Sequence, residues 1–416
     1  MSMVSNDITQ NTRTNKLTIR IENDPRLLLV LLAFCEKNIV RYAVHVFSFI
    51  PILGQLSGVI VPAAYIILLL CFAQRYGLRV SAREILVPVF VVVAILVTAI
   101  IYPVNTKYIF DSNNFWNGIF PCLRWFIIGL VLIPDRETLD LLGKVSCLAI
   151  LVETAFVLLY MMPRGLLASD DMSRSYQLLP NILLALNYSF DKKKILSWIC
   201  AIVGIIYSLS MGTRGPVVII LAYVFLRILQ SSRVKTAYKF LLGVALAGIA
   251  VFFLNSNLYL SILKFAKVQL GQVGLSTRVI DLAISGEMTT HLSGRDELYE
   301  TLIKKISEHP FRGYGVYGEW QWISWSAHNV YLEVMVHFGV ILGSLLILWY
   351  VVNVLRSYIK TKNIYSREMI LMWACFVFVR GVFGGSWLQL GVFFLIGFCL
   401  REQSRIKEDR LQESYL

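Results

Sequence analysis

The side chains in this sequence that could do chemistry are few and far apart. His328, in SWSAHNVYLEVMVHFGVILG, puts an imidazole directly in front of a membrane-length apolar run. With an ordinary pKa near 6.5 it suits the work of a general base at neutral pH. Arg214 sits in SMGTRGP, where Gly212 and Gly215 let backbone come close to a ligand and Pro216 suits the first turn of a following helix. A guanidinium beside the open N–H groups of a helix N-terminus fits a phosphate. Arg295, in SGRDELYE, and Arg278 are further anion-binding candidates.

Each residue also has a plainer reading. An arginine near a membrane surface can simply reach to lipid headgroups, and that reading suits Arg164, Arg174, Arg312 and Arg380 best. His328 can act as an interfacial or capping group, with Ser326 available to cap the helix that follows. Arg124, in PCLRWFIIG, lies inside an apolar run and has two readings of equal standing: a functional intramembrane cation, or a neutral buried pair with Glu153. His337 would point about 180° away from His328 on an ideal helix and lie roughly 13 Å deeper, so it reads as a packed polar residue. Gly339 and Gly343 form a GxxxG pattern, which predicts close helix packing.

The elements that must position these groups are membrane helices. The chain is 57% hydrophobic and only 16% charged, with repeated apolar stretches long enough to cross a hydrocarbon core of about 30 Å. The pattern predicts an all-α polytopic protein with about twelve spans, near 38–55, 57–75, 85–103, 116–134, 140–161, 176–190, 195–212, 215–230, 236–254, 329–353, 367–383 and 386–400. The organisation is then an N-terminal arm with a short interfacial segment ending at Cys35 (1–37), an N-terminal bundle (38–254), a large outer loop (255–327), C-terminal helices (328–400) and a tail (401–416). The connection between the first two spans, near Leu56, is almost absent and carries no carboxylate.

The net charge of +13 is topological. Basic clusters such as QRYGLRVSARE, DKKK, RSYIKTKNIYSRE and REQSRIKEDR all fall on the side of both termini, which the positive-inside rule makes cytoplasmic. They are suited to anionic headgroups and give no nucleic-acid signal. Arg214, Arg295 and His328 then share the outer side. Within the outer loop, SNLYLSILKFAKVQL reads as an amphipathic helix. SGRDELYETLIKKISEH reads as a second helix starting at Ser293, with Leu298, Leu302 and Ile306 on one face, and HPFRGYGVYGEW reads as a turn-rich lead-in to the span at His328.

The seven cysteines fall in spans or on the inner side, so no disulfide framework braces the outer loops. No CxxC, HExxH or phosphate-loop motif is present, so no metal, nucleotide or other cofactor is expected.

SMGTRGP, SGRDELYETLIKKISEHPFRGYGVYG and AHNVYLEVMVHFGVIL together resemble the O-antigen polymerase/ligase superfamily of bacterial envelope glycosyltransferases. The resemblance covers the second half of the chain. It implies a GT-C-like membrane fold in the bacterial inner membrane, with an active site facing the periplasm. The implied reaction transfers glycan from an undecaprenyl diphosphate-linked donor, without a nucleotide sugar, to another lipid-linked repeat unit or, in a ligase, to lipid A core. Membrane lipids, a chain-length regulator and a flippase are the implied partners. Carried over by motif, His328 would be the catalytic base or the group that positions the acceptor, and Arg214 and Arg295 would hold the diphosphate. Two other classes remain beside this one: a transporter or flippase, which the lack of internal repeats disfavours, and a non-catalytic assembly component, which would leave the three residues without a shared purpose.

Overall fold

The computed structural model describes residues 25–36, 51–76, 80–111, 114, 118–161, 172–192, 194–211, 214–230, 239, 257–272, 277, 280–281, 284, 295–323, 327–388 and 390–415. All regular structure among them is helical. The long elements are α1 (Pro25–Cys35), α2 (Pro51–Tyr76), α3 (Ala82–Ile101), α4 (Phe120–Val131), α5 (Arg136–Phe156), α6 (Met172–Lys192), α7 (Ile195–Ser210), α8 (Arg214–Gln230), α9 (Asn257–Gln272), α10 (Arg295–Glu308), α11 (Val330–Lys360), α12 (Ile364–Ala374) and α13 (Leu390–Tyr415). Among the described residues α3, α5 with its π-helical extension to Met161, and α11 are long and apolar enough to cross a membrane. Large apolar side chains such as Leu86, Ile100, Leu342 and Leu345 are exposed on these helices, as a hydrocarbon solvent requires.

Local chemistry starts the helices where the sequence changes from polar to apolar. Ser81 and Glu84 form a capping box ahead of α3: the Ser81 hydroxyl accepts from the Glu84 N–H, and the Glu84 carboxylate accepts from the Ser81 N–H at 2.6 Å. Asp135 caps α5 by accepting from the Thr138 N–H at 2.7 Å, and Asn363 caps α12. The most extensive helix pair is α4 with α13. Two glycines make it possible, since a Cβ on Gly129 would lie 2.3 Å from the Phe394 carbonyl oxygen and one on Gly397 2.4 Å from that of Phe126.

Three expectations need correction. The segment ending at Cys35 is not a loose surface piece: Leu29, Val30, Ala33 and Phe34 of α1 are buried in the main core, with Phe34 against Trp125, Trp373 and Phe394. No connection is made near Leu56, because α2 runs through it as one helix, across Gly54, Gly58 and Pro62. The span beginning after His328 is not continuous either. Gly339 has φ 76° and ψ 169°, which breaks α11 into Val330–Phe338 and Val340–Lys360. The GxxxG pattern marks close packing, but within α11: Gly339 makes the break and Gly343 lies against the Val330–Phe338 piece. A Cβ on Gly339 would meet the Phe311 carbonyl oxygen at 2.4 Å, and one on Gly343 would sit 3.1 Å from the Val334 carbonyl oxygen of the same helix. The residues before the helix fill the break: Tyr314 N–H donates to the Val336 carbonyl (2.7 Å), Gly315 N–H to that of His337 (3.0 Å), and Val340 N–H to that of Pro310 (2.6 Å). Broken backbone is tolerated at membrane depth when its polar groups are satisfied in this way.

The long connection is ordered where it is described. Leu298 and Leu302 of α10 are buried against Val336 and Ala327, with Ile306 beside them, which is the face the sequence predicts. At the end of α10 the hydrogen bond from Lys305 holds the Glu308 carboxyl below the usual carboxylate range. Ser293 lies outside the described residues.

Candidate functional site

Two polar assemblies flank the first half of α11. One lies at its start. His328 itself has φ 52°, an uncommon left-handed conformation for a residue with a side chain, and is half-buried. Its carbonyl accepts from the Tyr299 hydroxyl of α10 at 3.4 Å, so α10, whose first residue is Arg295, reaches the His328 backbone one turn further on. The cap of α11 is Asn329, whose side chain accepts from the N–H groups of Tyr331 (3.0 Å) and Leu332 (3.1 Å), in place of the expected Ser326. With Asn329 in that role, the His328 side chain is not used to close the helix.

The neighbouring wall comes from the segment after α12, where a π-helical turn (Cys375–Val379) leads into Arg380. The position a Cβ on Gly381 would take lies 3.5 Å from Val330 and 3.4 Å from Tyr331, and the Tyr331 hydroxyl donates to the Phe378 carbonyl. Arg380 therefore stands beside the start of α11. Its guanidinium carbon lies 4.7 Å from the centre of the Tyr176 ring and 5.3 Å from that of Phe376. Its Nε is shielded from solvent with no hydrogen-bond partner, and no carboxylate pairs with it among the described residues. The Tyr176 hydroxyl in turn occupies the space where a side chain on Gly215 would begin, 2.0 Å from that Cβ position. Gly215 is the second residue of α8, so the glycine in SMGTRGP admits a tyrosine hydroxyl to that helix's N-terminus. One turn away, Arg174 pairs with Glu153 at 3.7 Å, and the Tyr207 hydroxyl donates to the same carboxylate at 2.6 Å.

These contacts connect the starts of α8, α10 and α11 through Tyr176, Arg380, Gly381 and Tyr299. Arg214 and Arg295 are the first residues of α8 and α10; their side chains, and all of Arg278 and Arg164, lie outside the described residues. Arg380, read from sequence as a headgroup contact, instead rests on two aromatic rings, and Arg174 pairs with a buried carboxylate. Arg312 is exposed, 3.5 Å from His309.

Arg124 is not part of this group. It pairs with Glu36 at 2.8 Å and lies 4.3 Å from the centre of the Tyr65 ring, whose hydroxyl also donates to Glu36. A buried pair is what one reading expected, but with a different carboxylate. Glu153 is taken by Tyr207 and Arg174, and it is α1, packed into the core, that delivers Glu36.

The second assembly is closed. His337, fully buried, accepts a hydrogen bond from the Trp387 indole N–H at Nδ1 (2.8 Å) and meets Glu319 at Nε2 (2.5 Å). Nδ1 is thus an acceptor, while Nε2 faces both the Glu319 carboxylate and the Tyr317 backbone N–H, which donates to it at 3.2 Å. Glu333, one helical turn before His337, accepts from the Ser386 hydroxyl (2.6 Å) and the Trp387 backbone N–H (2.8 Å). Ligand atoms of Glu319, Glu333 and His337 lie within 4.8 Å of one another, and these three residues have the composition to hold a divalent cation. Sequence reading assigned no such set, although the i, i+4 spacing of Glu333 and His337 was the signal that would have found two of its members.

Comparison with known proteins gives no further assignment: no protein-family model matches the sequence, and no curated protein matches it.

Proposed function

We propose that this chain is a glycan polymerase of the bacterial inner membrane, with about twelve spans. It transfers glycan from an undecaprenyl diphosphate-linked donor to a second lipid-linked repeat unit at the periplasmic face. The observation that carries this reading is Arg380: a guanidinium with no carboxylate partner among the described residues, laid on Tyr176 and Phe376 between the start of α8 at Gly215 and the start of α11. A cation kept partly dry without a counter-ion suits an anionic ligand, and it lies beside the segment that carries His328. Arg380 thus joins Arg214 and Arg295 as a diphosphate-binding residue.

In the proposed reaction the acceptor hydroxyl oxygen bonds to the sugar's anomeric carbon as the bond from that carbon to the diphosphate oxygen breaks. The hydroxyl proton passes to the His328 imidazole. The electron pair leaves with undecaprenyl diphosphate, whose growing charge the arginines stabilise. The left-handed backbone at His328 fits a residue held in place for its role, since strain of this kind gathers at functional sites.

The test is glycan output from Arg380→Lys and Arg380→Ala strains with an intact ligase, at matched membrane abundance. Lysine retains charge but loses the planar stack, so both variants should lower output by about tenfold or more. Lipid A core carrying at most one repeat supports the polymerase. Uncapped core with long polymer held on its carrier makes the ligase the correct reading, and normal ladders from both variants overturn the anion site.

A further inference from the structure

A second site does not depend on the transferase reading: it is the basic end of a groove whose lining also includes Val330, Tyr331 and Gly381, beside the start of α11. α3, α11 and α13 enclose an apolar groove of about 760 Å³, walled by Phe90, Phe338, Leu346, Trp349 and Phe393. At one end its lining changes to Arg83, Arg356 and Gln403. Those same three residues also line an adjoining cavity of about 220 Å³, completed by Lys360, Lys407 and Arg410.

Five cations therefore surround one small cavity. They come from three elements: Arg83 from the first turn of α3, Arg356 and Lys360 from the end of α11, and Lys407 and Arg410 from the last turns of α13. All five are exposed, and none makes a hydrogen bond or ion pair with another described residue. Of the nearby acids, Glu84 lies in the α3 capping box and 3.7 Å from Arg401, Glu402 is held by Thr361 and Arg405, and the exposed Glu408 and Asp409 do not line the cavity. The positive end of the α3 dipole adds to the same field. Like charges held together without counter-ions repel each other, and a bound anion relieves that repulsion.

We infer that this is a site for an anionic glycerophospholipid, with its phosphate among Arg83, Arg356, Lys360, Lys407 and Arg410 and an acyl chain lying in the groove between α3, α11 and α13. Charge complementarity selects the headgroup, and the groove that opens from the same three residues selects a molecule with a chain. The three elements belong to the basic stretches QRYGLRVSARE, RSYIK and REQSRIKEDR, which the sequence places on the side of the anionic inner leaflet. A free phosphate would use the small cavity alone and leave the groove empty.

The experiment uses the full chain purified in mild detergent and washed. Lipid retained per protein is counted by extraction and mass spectrometry after incubation with phosphatidylglycerol, with phosphatidylcholine, or with inorganic phosphate and phosphatidylglycerol together. The variants are Arg83→Gln/Arg356→Gln, which removes two unpaired surface cations, and Leu346→Trp, which fills the groove. Wild type should retain phosphatidylglycerol in preference to phosphatidylcholine, and the charge variant should bind it about tenfold or more weakly with an unchanged thermal midpoint in phosphatidylcholine. Leu346→Trp should also lose it. Equal retention of phosphatidylcholine, displacement by inorganic phosphate, or unchanged phosphatidylglycerol binding in the charge variant would each overturn the assignment.

Discussion

His328 and His337 sit on the same short stretch of chain in opposite kinds of surroundings. His337 is fully buried, both ring nitrogens engaged, in a network that also ties Glu319, Glu333 and Trp387 across the break in α11. His328 is half-buried, held in a left-handed backbone, and its helix is capped by its neighbour Asn329. The contrast separates two uses of one side chain. A fully buried histidine bonded through both ring nitrogens holds elements together, whereas a half-buried one beside Arg380 suits a proton-transfer role. Removing the first should cost folding, and removing the second should cost only turnover.

The largest expected effect belongs to the rim. His328→Ala should lower glycan transfer by about 10²- to 10⁴-fold, the usual worth of a general base, with an unchanged thermal midpoint in detergent. A normal glycan ladder at matched abundance would erase the distinction between the two histidines. Next comes His337→Ala, which leaves the Trp387 indole N–H and the Glu319 carboxylate unpaired in a buried site. We expect a loss of about 3 kcal/mol, read as a lowered thermal midpoint and reduced membrane abundance, while the protein that does fold still turns over. An unmoved midpoint would show that the closed network is not a brace. Gly339→Ala forces a side chain into a φ of 76° and against the Phe311 carbonyl, and should cost about 1–3 kcal/mol by the same measurement. The smallest effect is Asn329→Ala, about 1 kcal/mol from the lost cap, with turnover falling further than stability if His328 depends on that cap for its position.

How much of this was readable beforehand depends on range. Patterns carried by neighbours in sequence survived: the Leu298, Leu302 and Ile306 face of α10, the helix starting at the SMGTRGP turn, and the apolar lengths of α3, α5 and α11. Features that depend on a distant partner did not. A glycine in an apolar run looks the same whether it packs a helix or breaks one; only the return of Pro310–Gly315 to the break settles Gly339. Arg124 had two carboxylates to choose from, Glu36 and Glu153, and the choice was made by α1, too short to count as a span. Arg380 resembled any arginine near a helix end, because the rings that carry it come from α6 and from the turn preceding it. Glu319 lies outside the helix that supplies Glu333 and His337, so no single stretch displays the triad.

The interruption at Gly339 also sets how this part of the chain can be threaded into a bilayer. Val340–Lys360 supplies about 30 Å of helix, the full hydrocarbon thickness, so it can lodge as an anchor without Val330–Phe338. The shorter piece is a surplus whose final carbonyls are matched by backbone that left the ribosome earlier, at Tyr314 and Gly315. That division allows assembly in two steps, with the anchor inserted first and the turn docked against the short helix afterwards. The rim that bears His328 is complete only once that turn is in place.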